Sequence, residues 1–417
     1  MNRSGMPSWY KWVVLLSIVP IVVSTEMMWL SLAPVSTLAE QYYGVSSLSI
    51  TLCSMSFMIM FVLFSVPASW VIDRFGYRAS LITGALITAV FGMLRAVFAD
   101  QFELILIMQF AVAIGQPFLL NITTKVAANW FPVSERSTAA GILTLAQYVG
   151  FVVPMAIAPV VAERSGIPDM FMLFAIVAAV SAVIAIVLTR EAPAGVKRSE
   201  QAGERLHAGS LKQLVANRGY MLILIISFVS IGIFNTILTL LESIVTPRGL
   251  TSEQAGIVGA VFIVAGIIGA VILPVLSDKF RVRVPFFIGA IAVLIPAYAG
   301  LTFARGELLL AGIAGIAGFM IMGAAPILFQ HGSEAAYPIP EGASLGFILL
   351  MGQISGTAFV YLFETTADAF DSIVWPMLAF VVMTAALLPL AFRMKESAVF
   401  VRPSSPDRTA AAESEFK

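Results

Sequence analysis

The chain has 417 residues, of which 59% are hydrophobic and 12% charged. A soluble domain carries about 45–50% apolar and about 25% charged residues, so too few charges are present to hold this much apolar surface in water. That excludes a soluble enzyme, a disordered chain and a nucleic-acid binder. Lys plus Arg and Asp plus Glu number 24 each, and the single cysteine, Cys53, leaves no disulfide and no cysteine-rich metal site.

A bilayer core of about 30 Å is crossed by about 20 apolar residues in a helix. Twelve such stretches follow one another, at 12–38, 46–72, 80–99, 103–128, 136–162, 170–189, 219–245, 254–277, 284–303, 307–330, 342–364 and 372–392. The expected class is an all-α membrane protein with 12 transmembrane helices. The first stretch is too long for the core of a cleavable signal, and a second span follows at once. Basic residues orient the spans, because Lys and Arg gather on the cytoplasmic side. With the N-terminus inside, 20 of the 24 basic residues fall in cytoplasmic segments; Arg164, Arg248 and Arg305 lie outside and Arg95 within a span. Both termini are therefore expected in the cytoplasm, with the chain a multi-pass protein of the plasma membrane (the cell inner membrane in a bacterium).

The longest internal polar segment divides the spans six and six. It gives an N-terminal half at 1–189, a cytoplasmic linker at 190–218, a C-terminal half at 219–395 and a tail at 396–417 whose composition reads as disordered. Residues recur between the halves about 206 positions apart. Phe131-Pro132 returns as Tyr337-Pro338, Glu135 as Glu341, Thr138 as Ser344, Gln147 as Gln353 and Gly150 as Gly356. The turn Asp73-Arg74-Phe75-Gly76-Tyr77-Arg78 returns as Asp278-Lys279-Phe280-Arg281-Val282-Arg283. Matches in register at the same point of each half indicate duplication. Parallel six-span repeats place a transporter's substrate site between the halves, near the midplane.

The stretch Ser69-Trp70-Val71-Ile72-Asp73-Arg74-Phe75-Gly76-Tyr77-Arg78 resembles the GxxxDRxGxR loop signature of the major facilitator superfamily, with Ser69 in place of its first glycine. That resemblance implies two pseudo-symmetric six-helix halves that rock about a central site. Asp73, Arg74, Arg78, Asp278, Lys279 and Arg283 would then form a cytoplasmic gate, with ion pairs made when the inner side is shut. A narrower resemblance rests on Gly115-Gln116-Pro117 through Asn121, Ala127-Ala128-Asn129-Trp130-Phe131-Pro132, Ser137-Thr138-Ala139, Phe234-Asn235-Thr236, Pro326, Glu334, Glu341-Gly342 and Gly352-Gln353-Ile354-Ser355-Gly356. Together these are similar to the feline leukaemia virus subgroup C receptor family, transporters of choline, ethanolamine and haem. The resemblance implies pocket roles for Trp29, Gln147 and Gln353. A pocket aromatic of that family falls on Asn235 here, which interrupts an aromatic cage.

Charges at membrane depth are costly, so each is a functional hypothesis. Glu26 lies about 14 residues into the first span, about 21 Å of rise. Trp29, three residues on, shares its helix face, and a carboxylate beside an indole suits an organic cation. Three roles stay open for Glu26: a structural carboxylate paired with Arg95, a proton carrier, or a direct substrate contact. Arg95 is expected to reach outward towards Asp100. Gln147 and Gln353 are expected to face each other across the cavity, offering donors and acceptors to a neutral or cationic ligand. Gln116, Asn121 and Asn235 are further candidates, between substrate contact and helix–helix glue. Glu242 is read as solvated near the outer end of the seventh span, or as part of an outer gate. His331 is read as lining a loop, and Trp130 and Trp375 as members of the interfacial aromatic belt. Small-residue spacing at Gly256, Gly259, Gly266 and Gly269, and at Gly312, Gly315 and Gly318, predicts close helix contacts.

No GxxxxGK[ST] or HExxH motif occurs, so neither a cofactor nor catalysis is expected. The expected function is a secondary active or facilitative transporter of a small organic solute, an amine or other organic cation. Its working partners would be that solute, protons if transport is coupled, and the lipid bilayer, with the chain acting as a monomer. One alternative is a proton-coupled multidrug or metabolite exporter. Another is a non-transporting membrane receptor or scaffold, whose mark would be a large extramembrane domain.

Overall fold

The structure is a computed structural model that describes residues 9–132, 135–191, 213–337, 339 and 341–396. Most of the expected linker and all of the tail beyond 396 lie outside these residues, as do Pro338 and the side chains of Ser137 and Glu341. Among the described residues, 12 spans are long and apolar enough to cross a membrane. Within a bilayer each backbone polar group must bond inside its own segment, which leaves the helix as the form open to such stretches.

The first span is broken into α1 (Tyr10–Trp29) and α2 (Ser36–Tyr43), with a 3-10 turn at Ala33–Val35 between them. Then follow α3 (Ser47–Phe75), α4 (Tyr77–Val97), a fourth span split into α5 (Phe102–Leu120) and α6 (Thr123–Trp130), α7 (Arg136–Ser165) and α8 (Ile167–Leu188). The second half holds α9 (Arg218–Val245), α10 (Ser252–Phe280), α11 (Val284–Phe303), α12 (Glu307–Ala335), α13 (Glu341–Phe370) and α14 (Val374–Ala391). An even number of crossings brings Trp9 and Glu396 to one face, here the terminal face; the other is the distal face.

The duplication is legible in backbone detail. Gly76 and Gly166, between α3 and α4 and between α7 and α8, have φ of 93° and 95°. Among the described residues two that are not glycine have positive φ, Arg281 at 54° and Asp371 at 47°. Each lies 205 residues after one of those glycines. Gly76 has ψ of 166°, a region open only to glycine, whereas Arg281 has ψ of 41°, the left-handed helical region that an L-residue can enter. A second device repeats at the same spacing. Glu191 accepts from the backbone N–H groups of Tyr77 (3.3 Å) and Arg78 (2.8 Å) at the start of α4, and Glu396 does so for Arg283 (2.7 Å) and Val284 (3.2 Å) at the start of α11. A carboxylate there satisfies orphan donors and complements the positive helix end.

Three apolar cores follow the same logic. One, on the distal side, is built from both halves, joining residues such as Met58, Phe151 and Met155 to Leu241, Val258 and Val360. The other two are confined to one half each: Val14, Ile72, Leu81 and Leu143 in the first, Ile223, Phe287, Leu328 and Leu387 in the second. The halves are thus packed together distally and hold separate cores towards the terminal face, so the space between them opens there. A close helix approach lies inside the second half. A Cβ added at Gly318 of α12 would meet the Phe262 carbonyl oxygen at 1.9 Å, and one at Gly269 of α10 would meet that of Phe319 at 2.1 Å. Gly312 has nothing within 4 Å of such a Cβ and takes no part in this contact, contrary to its spacing.

Arg95 does not reach towards Asp100. It is fully buried and turns inward onto the break in the first span. Its guanidinium donates to the Met28 carbonyl (3.4 Å), to Ser31 Oγ (3.1 Å) and to Gln109 Oε1, and stacks on the Phe171 ring at 4.4 Å. The end of α1 leaves carbonyls without helical partners and a partial negative charge, and the cation answers both. Asp100 instead accepts from Tyr42 (2.9 Å). Trp130 is also buried, donating to Tyr77 Oη at 2.7 Å rather than lying at the interface, whereas Trp375 is exposed as expected. His331 is buried within α12 beside Phe287, where it hydrogen-bonds the backbone at Lys395 in the non-helical segment after α14, so it does line a loop, from a buried position.

The two turns make a test of the repeat. Gly76→Ala forces a side chain into glycine-only backbone and should cost about 1–3 kcal/mol, seen as a lower melting temperature in detergent. Arg281→Gly, at the corresponding accessible turn, should melt close to the parent chain.

Candidate functional site

The polar residues nearest the midplane form one layer across both halves. Glu26 is 16 residues into α1, Gly150 is 14 into α7, Asn235 is 17 into α9 and Gly356 is 15 into α13. At 1.5 Å per residue all four lie about 21–26 Å from the terminal ends of their helices. In the first half, a Cβ added at Gly150 would stand 2.5 Å from Glu26 Cβ; in the second, one at Gly356 would stand 2.6 Å from Asn235 Nδ2. Glu26 and Asn235 are therefore counterparts under the repeat, each pressed on a glycine of its half's fifth helix. In the sequence the two glycines recur at 206 residues, whereas the two polar residues lie 209 apart and fall out of that register.

Glu26 is 1% exposed, and Gln116 Nε2 donates to its Oε2 at 3.1 Å. No basic side chain of the described residues pairs with it, so the ion pair with Arg95 is absent. Asn235 donates to the Gly352 carbonyl at 3.4 Å. Gln147 and Gln353 lie one helical turn towards the terminal face from the two glycines. Both are half-buried. Neither side chain has a hydrogen-bond partner among the described residues.

Trp29 closes the layer from the distal side. Its indole N–H donates to the Ser54 carbonyl at 3.0 Å, its ring stacks on Phe57 (6.4 Å, 17°) and meets Phe151 edge-on (5.5 Å, 80°). Tyr148, next to Gln147, extends this aromatic wall (6.1 Å to Phe151). Phe57, Tyr148 and Phe151 escaped sequence reading because aromatic residues in apolar spans carry no signal of their own. Asn121 belongs elsewhere: it binds Ser65 Oγ (3.1 Å) and carbonyl (3.3 Å) and ties α5 to α3.

The distal closure is specific. Glu242 of α9 is 2% exposed rather than solvated. It accepts from Ser36 Oγ (2.5 Å), Thr37 Oγ1 (3.0 Å) and the Thr37 backbone N–H (3.4 Å) of the first half, and from Ser252 Oγ (3.1 Å). A second clasp runs from Thr51 of α3 to Glu364 of α13 at 2.9 Å. Two methionines of the first half seat in glycine notches of the second, Met58 against Gly356 and Met155 against Gly256 and Gly259. Among the described residues, every hydrogen bond joining the halves lies on this side.

At the terminal face the signature residues pair within their own half. Asp73 meets Lys125 at 3.7 Å, and Arg283 meets Asp278 (3.6 Å) and Glu334 (2.7 Å). Arg74 stacks on Trp70 and Phe75, and Arg78 and Lys279 are exposed. This is an arrangement with the distal gate shut and the terminal side parted.

Glu242→Ala would strand four donors, and an unmet buried donor costs about 1–3 kcal/mol. With Met155→Cys as reporter in a Cys53→Ser background, labelling by an impermeant thiol reagent from the distal face should rise about tenfold. Unchanged labelling would mean that Glu242 does not hold the gate.

The sequence profile of the Major Facilitator Superfamily matches residues 16–360. Solute carrier family 49 member A3 of Danio rerio is 30% identical over 382 residues, covering 86% of this chain and 78% of that protein. The choline/ethanolamine transporter flvcr2a of Danio rerio is 26% identical over 387 residues, covering 87% and 82%, and the human choline/ethanolamine transporter FLVCR2 is 24% identical over 373 residues, covering 84% and 70%. Among solved structures, a bacterial homologue of the human lysosomal transporter Spinster, inward-facing and unoccupied, has a TM-score of 0.73 at 17% identity over 92% of this chain and 96% of that one, a likeness of fold.

Proposed function

Because the chain belongs to the major facilitator superfamily and is a solute transporter that works by alternating access, we propose that its solute is a small organic amine or other organic cation. The observation that carries this reading is the buried Glu26 carboxylate, whose partner is the neutral Gln116. An acid in the central layer with no basic partner among the described residues offers an acceptor and a counter-charge to a cation and nothing to an anion, and Trp29 adjoins it on the same helix face. Arg95, the basic residue at a comparable depth in the first half, is spent on the end of α1. The unpartnered amides of Gln147 and Gln353 supply polar contacts for a hydroxyl or ammonium head. The similarity to choline/ethanolamine transporters supports the same class.

In the transport cycle the solute enters between the halves, and the central layer is exposed to each face in turn. The Glu242 and Glu364 clasps hold the distal side shut in the state described, while Asp73, Arg74, Arg78, Asp278, Lys279 and Arg283 stand ready to re-pair across the terminal face. The terminal face is taken as cytoplasmic from the excess of basic residues there, in a plasma-membrane protein. Each chain holds its own site between its halves, so it acts as a monomer.

Uptake into liposomes tests the substrate class. Labelled choline or ethanolamine should be carried, and Gln147→Ala with Gln353→Ala should reduce transport at least tenfold while the melting temperature holds. Stabilisation by carboxylates and by no amine in a thermal-shift series would overturn the reading.

A second reading, a proton-coupled exporter, is favoured by the same lone carboxylate, which could exchange a proton at membrane depth. In that case amine flux follows an imposed pH gradient and Glu26→Gln abolishes the response. A uniporter carries amine at the same rate with or without the gradient.

A further inference from the structure

On its bilayer side, the seam where α7 of one half meets α10 of the other opens into an apolar groove of about 420 Å³. Met155 and Val160 of α7 line it with Ile257, Ala260, Val264 and Ile268 of α10, and Glu253 stands at its distal end. From Glu253 to Ile268 is 15 residues, about 22 Å of rise. Half of an about 30 Å hydrocarbon core is about 15 Å, so the groove runs through the distal leaflet and beyond. Ile257, Val264 and Ile268 are exposed on this side, as residues facing lipid chains would be.

The mouth of the groove is charged in a particular way. Glu253 opens α10 and is exposed. Arg164 lies one turn beyond Val160 on α7, on the same helix face, and is exposed too. Neither has a hydrogen bond or ion pair with any described residue. Arg164 of the first half and Glu253 of the second therefore stand unpaired at headgroup level above an apolar channel, and the exposed Glu163 beside Arg164 adds a second acid to the mouth.

We propose that this seam binds a phospholipid of the distal leaflet with a zwitterionic headgroup. Its acyl chain fills the groove, its phosphate meets Arg164 and its ammonium meets Glu253. An anionic lipid would satisfy Arg164 alone and bring its negative charge beside Glu253.

The site is made by contact between the halves. Met155 lines the groove and also fills the notch at Gly256 and Gly259, where added Cβ atoms would lie 2.4 Å from its carbonyl oxygen and 2.8 Å from its Sδ. Parting the distal side withdraws Met155 from α10 and dismantles the groove. A lipid that binds only the closed form favours it by its differential affinity, so the bilayer's own zwitterionic lipid acts as a brace on the distal gate. This holds whatever solute the central site carries.

Full-length protein, delipidated in detergent, is offered phosphatidylethanolamine, phosphatidylcholine or phosphatidylglycerol, and retention is read by native mass spectrometry. One phosphatidylethanolamine or phosphatidylcholine should be retained several-fold better than phosphatidylglycerol. Ala260→Phe, which fills the groove, should abolish retention, and Arg164→Gln with Glu253→Gln should erase the headgroup preference; unchanged melting of the lipid-free variants shows that they fold. In liposomes, the zwitterionic lipid should slow distal labelling of Met155→Cys. Equal retention by Ala260→Phe, a preference that survives the double charge variant, or labelling indifferent to lipid would each overturn the proposal.

Discussion

The Arg95 guanidinium, lodged against the C-terminal end of α1, supports the break in the first span, and much of the molecule is arranged around that break. A helix that stops inside a bilayer exposes carbonyls that no water can satisfy. Here Met28 is answered by Arg95 and by Gln109 Nε2 at 3.1 Å. The cation needs no acid because the helix end supplies the negative pole. Glu26 and Trp29 lie in the last turn before the break, and Ser36 and Thr37 lie just after it. One interruption thus places the central carboxylate and turns two hydroxyls towards Glu242.

Duplication governs the rest, and its failures are as informative as its successes. The positive-φ turns and the glutamates at the starts of α4 and α11 are kept at 205 residues. These are demands of backbone geometry and helix-end electrostatics, and both halves face them equally. The central layer is where the halves diverge: Glu26 stands in one and Asn235 in the other. Two carboxylates would repel each other across the site, whereas one gives it a sign. The glycines beside them are retained because each lets its helix approach a polar neighbour closely.

The distal and terminal sides differ in how they hold together. Distally, the contact is apolar packing with buried carboxylates met by hydroxyls and a backbone N–H. A hydroxyl can break such a bond for water at modest net cost, which suits a gate that opens in every cycle. At the terminal face, the charges of each half are paired locally while the halves stand apart, and the basic residues that set topology also provide partners for closure.

Twelve spans, the six-plus-six division and the resemblance to choline and ethanolamine transporters were all legible in the chain, because the bilayer makes apolar length, basic-residue bias and repeated polar positions hard to disguise. The eleventh span shows the limit: its apolar stretch reads as ending at 364, yet α13 continues to Phe370 and buries Glu364 against Thr51. Composition registers a polar residue but not the partner that permits it. For the same reason the inward turn of Arg95, the burial of Glu242 and the seating of Met58 and Met155 were invisible, since each depends on what another helix presents at the same depth. The number of crossings, and the residues that are costly to leave within them, follow from the order of the amino acids alone. Which of those residues pair with each other and which stay free follows from side-chain direction across helices hundreds of residues apart, and so emerges with the packed fold.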